Sequence, residues 1–509
     1  MADPNPMQRG QAAIQARDLS EALRWFEQAA RDTPKDAQAK ACVGQTLCWL
    51  GRRDEGIAWL RQSGSLLLKK ARKTRDIALA LGLVEQLHYW SDYAGSLELC
   101  RLAVEINPNA VQGYHLLALA HSRLNQNKAA LDAGRRAARL APDNAMLQIV
   151  LATLEAADKQ YEPARRRLEK ALQGRLSPEE KFRAHKELAG ILDKLGEYGE
   201  VFPHLNAASQ AAPLLPEVRK IDARLVPEMI RANRAEFDRG LLGRWAGAEF
   251  PADTPAPVFV MGFMRSGTTL TQEVLGAHPD VFVADETDLV MAMADELKRL
   301  VPAGTVPERL RQLDAGGILQ LRRLYWTKVR ERYGEEIAGR RLVDKTTMNT
   351  IDLGLINAVF PDGKVVFVVR DPRDVVLSCF MHTMIPTPST VHLLDWQGTA
   401  EFYALVMDWW QAAKSRLTVD FIEFRYEDAV AEFETTFRHV FDFLGLAWDP
   451  RVARFNERAA GKVVNSPSFS QVAQPLYSSS VERWRRYEQE YAAVADTLRP
   501  FVEALGYRQ

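Results

Sequence analysis

One short segment combines glycine, hydroxyl and arginine side chains in an order suited to binding a phosphate group. It follows an apolar run and reads Gly262-Phe263-Met264-Arg265-Ser266-Gly267-Thr268-Thr269. If this segment joins a strand to a helix, successive backbone N–H groups, hydroxyls and a cation face one anion. The lysine of the G-x-x-x-x-G-K-[ST] loop is absent and no aspartate is evident for magnesium, which argues against an ordinary ATPase or kinase. The predicted anion-binding residues are Arg265, Ser266, Gly267, Thr268 and Thr269.

A second segment places an arginine and a serine where they can share a phosphate. Arg370 ends the apolar run 364–370, and Ser378 lies about two turns into the helix that we expect next. Both side chains can therefore converge on one anion. The alternative is that Arg370, Asp371 and Arg373 only form ion pairs at the helix start, and the presence of both segments favours the phosphate site.

The elements that must position these residues are strands of one sheet. Apolar runs that alternate with helical segments predict an α/β domain with a mostly parallel sheet and helices on both faces. The runs are 257–262, 281–284, 341–345, 364–370 and 419–425. Ligands bind beyond the carboxyl ends of such strands. A chemically useful residue stands at each of these ends: Arg265, Glu286, Lys345, Arg370 and Tyr426.

The first half of the chain carries a repeat of 34 residues. Pro108 and Pro142 are 34 residues apart, as are Ala130 and Ala164, and this is the tetratricopeptide period. Small residues recur where two helices cross closely, and a proline ends the second helix of each unit. Residues 10–212 resemble the tetratricopeptide-repeat family, which implies an all-α solenoid of five or six helix pairs.

The role of this array is open at the level of sequence. A stacked array offers a groove for a peptide or protein acceptor, but it can equally be a packing platform or the contact surface of a homodimer. We predict connecting helices and a proline-rich linker over 213–250, followed by the α/β domain over 251–509.

Length and charge narrow the class of protein. The chain has 509 residues, more than one hydrophobic core usually supports. Its 66 lysines and arginines equal its 66 aspartates and glutamates, which argues against nucleic acid or a membrane as the main partner. The four scattered cysteines, the lack of a signal-peptide pattern and the lack of long apolar runs predict a cytoplasmic protein. No metal-ligand spacing is visible, so we expect no metal.

The two phosphate segments together resemble the sulfotransferase superfamily, in particular the protein-tyrosine sulfotransferases. The spacing from Arg265 to Glu286, Lys345 and Arg370 is similar to that of these enzymes. The resemblance implies a P-loop-like sulfotransferase fold that binds the donor 3′-phosphoadenosine 5′-phosphosulfate. It assigns the 3′-phosphate to Arg370 and Ser378. Further donor contacts fall to Tyr426, Ser468, Gln471 and Arg483.

The resemblance also implies catalytic roles. Glu286 would be the general base that removes the proton of the acceptor hydroxyl. Lys345 and Arg265 would neutralise charge on the leaving oxygen and on the sulfuryl group, with Ser468 assisting. The alternative is that Glu286 belongs to a solvated acidic turn, and its position at a strand end together with the spacing it shares with the family favours the catalytic role.

Four features of the sequence depart from the family pattern. Met264 replaces a proline, His382 an arginine and Arg483 a lysine, and Thr346-Thr347 follows Lys345 in place of aspartate-proline. Three functions stay open. The leading one is sulfuryl transfer to tyrosine in a protein or peptide, the second is the same chemistry on a small alcohol, phenol or glycan, and the third is a non-catalytic repeat scaffold.

Overall fold

The chain forms two compact units that divide between Glu180 and Lys181. The computed structural model describes residues 5–460 and 480–508. The predicted domain boundaries at residues 212 and 250 stay predictions. Among the helices of the described ranges, none combines the length and the apolar character needed to cross a bilayer.

The described part of the first unit is built from helices that pack in consecutive pairs. They are α1 (Pro6–Gln15), α2 (Leu19–Asp32), α3 (Ala37–Trp49), α4 (Arg53–Thr74), α5 (Ala78–Tyr89), α6 (Tyr93–Ile106), α7 (Val111–Arg123), α8 (Asn127–Leu140), α9 (Ala145–Ala157) and α10 (Tyr161–Leu172). Several begin at an aspartate or asparagine whose side chain accepts a backbone N–H bond of the first turn, as good N-caps do. These caps are Asp18, Asp36, Asp92 and Asn144.

Small residues lie where the paired helices cross, as the repeat pattern predicts. Ala130 and Ala164 are fully buried at equivalent places in α8 and α10. Gly56 in α4 takes the same role, because a Cβ there would lie 2.4 Å from the Sγ of Cys48. The prediction of an all-α repeat array is confirmed for these pairs.

The next helix pair packs within the second unit from Lys181 onward. It consists of α11 (Pro178–Leu195) and α12 (Tyr198–Ala211). The ring of Phe202 on α12 contacts Phe380, Trp396 and Tyr487, with centroids 5.1–5.8 Å apart. Residues of α12, which the sequence predicts to be part of the repeat array, therefore contribute to the core around the α/β domain.

A five-stranded parallel sheet forms the centre of the second unit. The strands are β1 (Val258–Gly262), β2 (Val281–Asp285), β3 (Arg341–Lys345), β4 (Lys364–Val369) and β5 (Asp420–Arg425), and their order is β2-β3-β1-β4-β5. In the register, Val260 of β1 pairs with Lys345 of β3 and with Val366 of β4. The predicted strands and their parallel arrangement are confirmed.

Helices cover both faces of the sheet, which explains why β1, and β4 after its first residue, are apolar and buried. Before β1 lie α13 (Leu225–Glu236) and α14 (Arg239–Gly243). Between the strands lie α15 (Thr268–Gly276), α16 (Leu289–Leu300), α17 (Val306–Gln312), α18 (Ala315–Tyr333), α19 (Leu353–Val359), α20 (Pro372–Met381) and α21 (Trp396–Ala413). After β5 lie α22 (Tyr426–Ala431), α23 (Phe433–Leu444), α24 (Phe455–Ala460), α25 (Glu488–Tyr491) and α26 (Ala495–Ala504).

The two faces have separate cores. On one face, Val258 and Val260 of β1 pack with Val274 of α15 and Phe437 of α23. On the other, Phe367 of β4 stacks on Trp410 of α21 with centroids 3.7 Å apart. The sheet is thus held rigidly, and the loops at its carboxyl edge extend from a fixed base.

Candidate active site

The predicted phosphate loop joins β1 to α15 at the carboxyl edge of the sheet. Gly267 has a φ angle of 106°, which glycine adopts without penalty. A Cβ at this position would also lie 2.5 Å from the Cδ2 of Tyr426. Ser266, Thr268 and Thr269 are buried around the start of α15. The first turn of this helix therefore offers backbone N–H groups to an anion, as expected for a phosphate loop.

Two predicted catalytic residues have left-handed backbone conformations. The φ angle is 68° at Arg265 and 45° at Glu286. In the described part of the second unit, Glu482 is the only other non-glycine residue with positive φ. Such conformations cost about 1–3 kcal/mol and concentrate at functional sites, where the surroundings enforce them. Both residues are thus held in set positions where the chain leaves β1 and β2.

Lys345, Glu286 and Thr347 form a hydrogen-bonded cluster beyond the ends of β2 and β3. The Nζ of Lys345 lies 2.5 Å from Oε1 of Glu286 and 3.1 Å from Oδ1 of Asp285. The Oγ1 of Thr347 donates to the same Oε1 over 3.1 Å. The side chain of Lys345 is 2% exposed and that of Glu286 is 50% exposed. A buried cation thus lies beside a carboxylate that an incoming molecule can reach.

The positive charge of Lys345 is sustained by its neighbours. Burial lowers the pKa of this amine, but the carboxylates of Glu286 and Asp285 outweigh burial, so its pKa is raised above the ordinary value. Lys345 is therefore a cation at neutral pH. A cation is what the predicted role in charge neutralisation requires.

A buried hydrogen-bond network supports this cluster from behind. Oδ2 of Asp344 accepts from the hydroxyl of Tyr325 over 2.9 Å, and Oδ1 accepts from the hydroxyl of Thr346 over 3.3 Å. The Thr346 hydroxyl in turn accepts from the N–H of Thr287 over 3.1 Å. Burial raises the pKa of Asp344 to about 7, although these hydroxyl groups oppose the shift. The network fixes the backbone on both sides of Glu286.

Arg370 is buried behind the phosphate loop. It donates to the carbonyl of Arg265 over 3.0 Å and to that of Ser480 over 2.6 Å, and it lies 4.9 Å from the ring centroid of Tyr426. Its Nε has no hydrogen-bond partner among the residues that the structure describes. Buried donors normally have partners, and an unpartnered guanidinium N–H fits a phosphate oxygen. The residues present therefore fit a phosphorylated ligand.

Ser378 and Arg265 connect the two phosphate segments directly. The Nε of Arg265 donates to the hydroxyl of Ser378 over 3.1 Å. A second nitrogen of Arg265 lies 3.2 Å from Nε2 of His382, whose Nδ1 lies 2.7 Å from the carbonyl of Ser378. An arginine can only donate and a carbonyl can only accept, so His382 carries its proton on Nδ1. Burial and the charge of Arg265 lower the pKa of His382 well below its ordinary value, which keeps the ring neutral.

Arg483 is paired with a residue from the α11–α12 helix pair. Its Nε and a terminal nitrogen lie 3.2 and 2.8 Å from the two oxygens of Asp193. The hydroxyl of Tyr487 donates to the same carboxylate over 2.7 Å. The predicted donor contact of Arg483 stays a prediction.

The structure brings most of the predicted site residues to one edge of the sheet. Arg265, Arg370, Ser378 and Tyr426 are linked by the contacts above, and Glu286 and Lys345 form a pair. Their roles stay predictions. The predicted donor residues Ser468 and Gln471 lie outside the described residues. Several partners of the site residues were not predicted from the sequence. Among them, only Thr347 stands at a position that the sequence marks, because Thr346-Thr347 replaces aspartate-proline after Lys345. The missed residues are Asp193, Tyr325, Asp344 and Thr347.

These features define an α/β domain with a glycine- and hydroxyl-containing loop at a helix start and a carboxylate–lysine pair at the carboxyl edge of a parallel sheet. Comparison with known proteins gives this domain a family. Residues 257–450 match the model of the sulfotransferase family, so the carboxyl-terminal region contains a sulfotransferase-family domain.

Individual relatives match a longer part of the chain than the family model does. An uncharacterized protein of Aquifex aeolicus is 29% identical over 318 residues, which cover 60% of this chain and 40% of that protein. Protein-tyrosine sulfotransferase A of Caenorhabditis elegans is 24% identical over 266 residues, covering 49% of this chain and 67% of that enzyme. Among solved structures, the sulfotransferase domain from the curacin biosynthetic pathway is 20% identical, with a TM-score of 0.36, over 50% of this chain and 98% of that domain.

Proposed function

We propose that this chain transfers the sulfuryl group of 3′-phosphoadenosine 5′-phosphosulfate to a tyrosine hydroxyl in a protein or peptide. The observation that carries the proposal is the cluster of Lys345, Glu286 and Thr347, which joins the phosphate loop through Thr268. The hydroxyls of Thr268 and Thr347 are 3.0 Å apart. An accessible carboxylate and a buried cation thus lie beside an anion-binding helix start.

The site residues supply proton transfer and positive charge. The donor, when bound, provides a sulfuryl group attached to a phosphate leaving group. Glu286 accepts the proton of the acceptor hydroxyl, since its half-exposed carboxylate can approach an incoming hydroxyl within hydrogen-bond distance. Lys345 and Arg265 provide fixed positive charge where negative charge develops, and burial strengthens the effect of such charge.

The second phosphate segment supports a donor with a 3′-phosphate. Arg370 has an unpartnered buried N–H, and Ser378 has a hydroxyl already held by Arg265. Tyr426 packs against the loop glycine and against Arg370, which suits a residue that contacts the nucleotide. A 3′-phosphate distinguishes the sulfuryl donor from ATP.

Two considerations favour a polypeptide acceptor. Protein-tyrosine sulfotransferases are among the relatives of this chain, whose carboxyl-terminal region matches the sulfotransferase family. A repeat array precedes this region, and arrays of this kind present long surfaces that suit extended peptides. We propose that the repeats bind the polypeptide that carries the acceptor tyrosine.

Calorimetry tests the donor class. We expect adenosine 3′,5′-bisphosphate to bind the full chain at least tenfold more tightly than ATP. Equal affinity for the two nucleotides would overturn the assignment of the donor. Transfer of a radiolabelled sulfate group to a tyrosine-containing peptide, with the phenylalanine version of that peptide as control, tests the acceptor. Label in both peptides would contradict transfer to the phenolic hydroxyl.

A further inference from the structure

The hydroxyl of Thr347 contacts both the proposed base and the phosphate loop. Thr347 follows β3 by two residues, and its side chain is buried. Its Oγ1 lies 3.1 Å from Oε1 of Glu286 and 3.0 Å from Oγ1 of Thr268. Thr268 is the first residue of α15 and is also buried.

The direction of these hydrogen bonds follows from the number of protons. A carboxylate can only accept, so the single hydroxyl proton of Thr347 goes to Glu286. The hydroxyl of Thr268 must then donate to that of Thr347. The bonds run in one direction, from the phosphate-loop helix through Thr347 to the carboxylate.

This arrangement distinguishes the two oxygens of Glu286. Oε1 accepts from both Thr347 and Lys345. Oε2 accepts no hydrogen bond from the residues that the structure describes. The torsion at the end of a glutamate side chain is broad, so without Thr347 the plane of the carboxylate can tilt about its remaining bond to Lys345, and the outer oxygen is no longer held in one direction.

The backbone of Glu286 is fixed by different contacts. Its N–H donates to the carbonyl of Lys345 over 2.8 Å, and the N–H of Thr287 donates to the hydroxyl of Thr346. Loss of the Thr347 hydroxyl leaves both bonds in place. The consequences of that loss are therefore confined to the orientation of the carboxylate and to the hydroxyl of Thr268, which loses its acceptor.

We propose that Thr347 is a positioning residue of the transfer reaction, which holds Oε1 of Glu286 so that Oε2 receives the proton of the acceptor hydroxyl. This inference rests on the proposed function. It assigns a role to a residue outside the set predicted from sequence. It also links the orientation of the base to Thr268, at the helix start that binds the donor phosphate.

The test compares Thr347→Val with Thr347→Ser. Valine has nearly the shape of threonine without the hydroxyl, and serine keeps the hydroxyl. We expect Thr347→Val to lower the single-turnover rate by about tenfold to a hundredfold, the range for loss of a hydrogen bond to a charged group. Thr347→Ser should restore the rate to within about threefold of the wild type. Affinity for adenosine 3′,5′-bisphosphate should change by less than about threefold in both variants.

Controls separate positioning from a general loss of structure. Thr399 is fully buried, and its hydroxyl donates to the carbonyl of Asp395, so Thr399→Val removes a comparable bond elsewhere in the same unit. We expect that variant to keep the wild-type rate. If Thr347→Val does not fold, Thr347→Ala, which leaves more room, gives the same comparison.

A double mutant identifies the group through which Thr347 acts. In a Glu286→Gln background, Thr347→Val should lower the residual rate by less than about twofold, because residues that act as a unit are not additive. Losses that multiply would overturn the inference, as would a wild-type rate in Thr347→Val. If the wild-type chain transfers no sulfuryl group, both the proposed function and this inference fail. If the wild type transfers the group and Thr347→Val does so equally fast, only this inference fails.

Discussion

Replacing the buried lysine of α11 should change how the stability of the second unit depends on pH. Lys186 is 3% exposed. Its amine donates to the carbonyl of Phe380, near the end of the helix that carries Ser378, and lies 4.6 Å from the ring centroid of Phe380. Burial lowers the pKa of Lys186 from 10.5 to about 7. We expect Lys186→Met to remove the pH dependence that follows from this shift.

The sign and size of the effect follow from proton binding in the folded and unfolded chains. Between pH 7 and pH 10.5 the unfolded chain binds a proton at Lys186 that the folded chain does not bind. The free energy of unfolding therefore rises by about 1.4 kcal/mol per pH unit in this window. Between pH 7.5 and pH 9.5 this single group contributes about 2–3 kcal/mol. Lys186→Met should thus have a higher free energy of unfolding than the wild type at pH 7.5. This difference between variant and wild type, the stability margin, should be smaller by about 2–3 kcal/mol at pH 9.5.

Urea unfolding followed by pulse proteolysis measures this margin, because fragments of the second unit can be identified separately. Lys364→Met is the matched control. Lys364 also donates to a backbone carbonyl and lies over an aromatic ring, both from Phe443, but its side chain is only partly buried. Comparing the two margins separates the loss of a buried lysine from the loss of a lysine–carbonyl hydrogen bond. A margin for Lys186→Met that is the same at both pH values would refute the reasoning.

Further predictions concern the cationic residues of the site. Arg370→Ala should weaken binding of adenosine 3′,5′-bisphosphate by about tenfold to a hundredfold in calorimetry, since charge-assisted hydrogen bonds to phosphate are lost; unchanged affinity would contradict the phosphate role of Arg370. Asp193→Ala removes the carboxylate that pairs with Arg483, and the side chain of Asp193 is only 2% exposed. We expect it to lower the free energy of unfolding of the second unit by about 3 kcal/mol. An unchanged urea midpoint would show that the pair does not stabilise this unit.

The sequence allowed much of the α/β region to be predicted because its signals are local. Each strand is a short apolar run, and each chemically useful residue stands at the end of a run, so parallel strand ends suffice to place Arg265 and Glu286 at one edge. The repeat pairs were predictable for the same reason, since Ala130 and Ala164 mark helix crossings within a single period.

The remaining features depend on contacts between distant segments. Nothing in the repeat pattern indicates that α11 supplies Lys186 and Asp193 to the second unit. The hydrogen bond from Tyr325 to Asp344 joins a helix to a strand that follows it, and neither residue belongs to a motif. The role of Thr347 depends on a side-chain direction, which sequence spacing does not determine.

The most direct test of the account is the rate of sulfuryl transfer by the full chain from the labelled donor to a tyrosine peptide, measured for the wild type, Glu286→Gln and Asp288→Asn. Asp288 is a nearby acid, 66% exposed and paired with Arg332, which makes it the matched control. The account predicts transfer by the wild type and by Asp288→Asn, and a loss of at least about a hundredfold in Glu286→Gln. Full turnover by Glu286→Gln, or no transfer by the wild type, would contradict it.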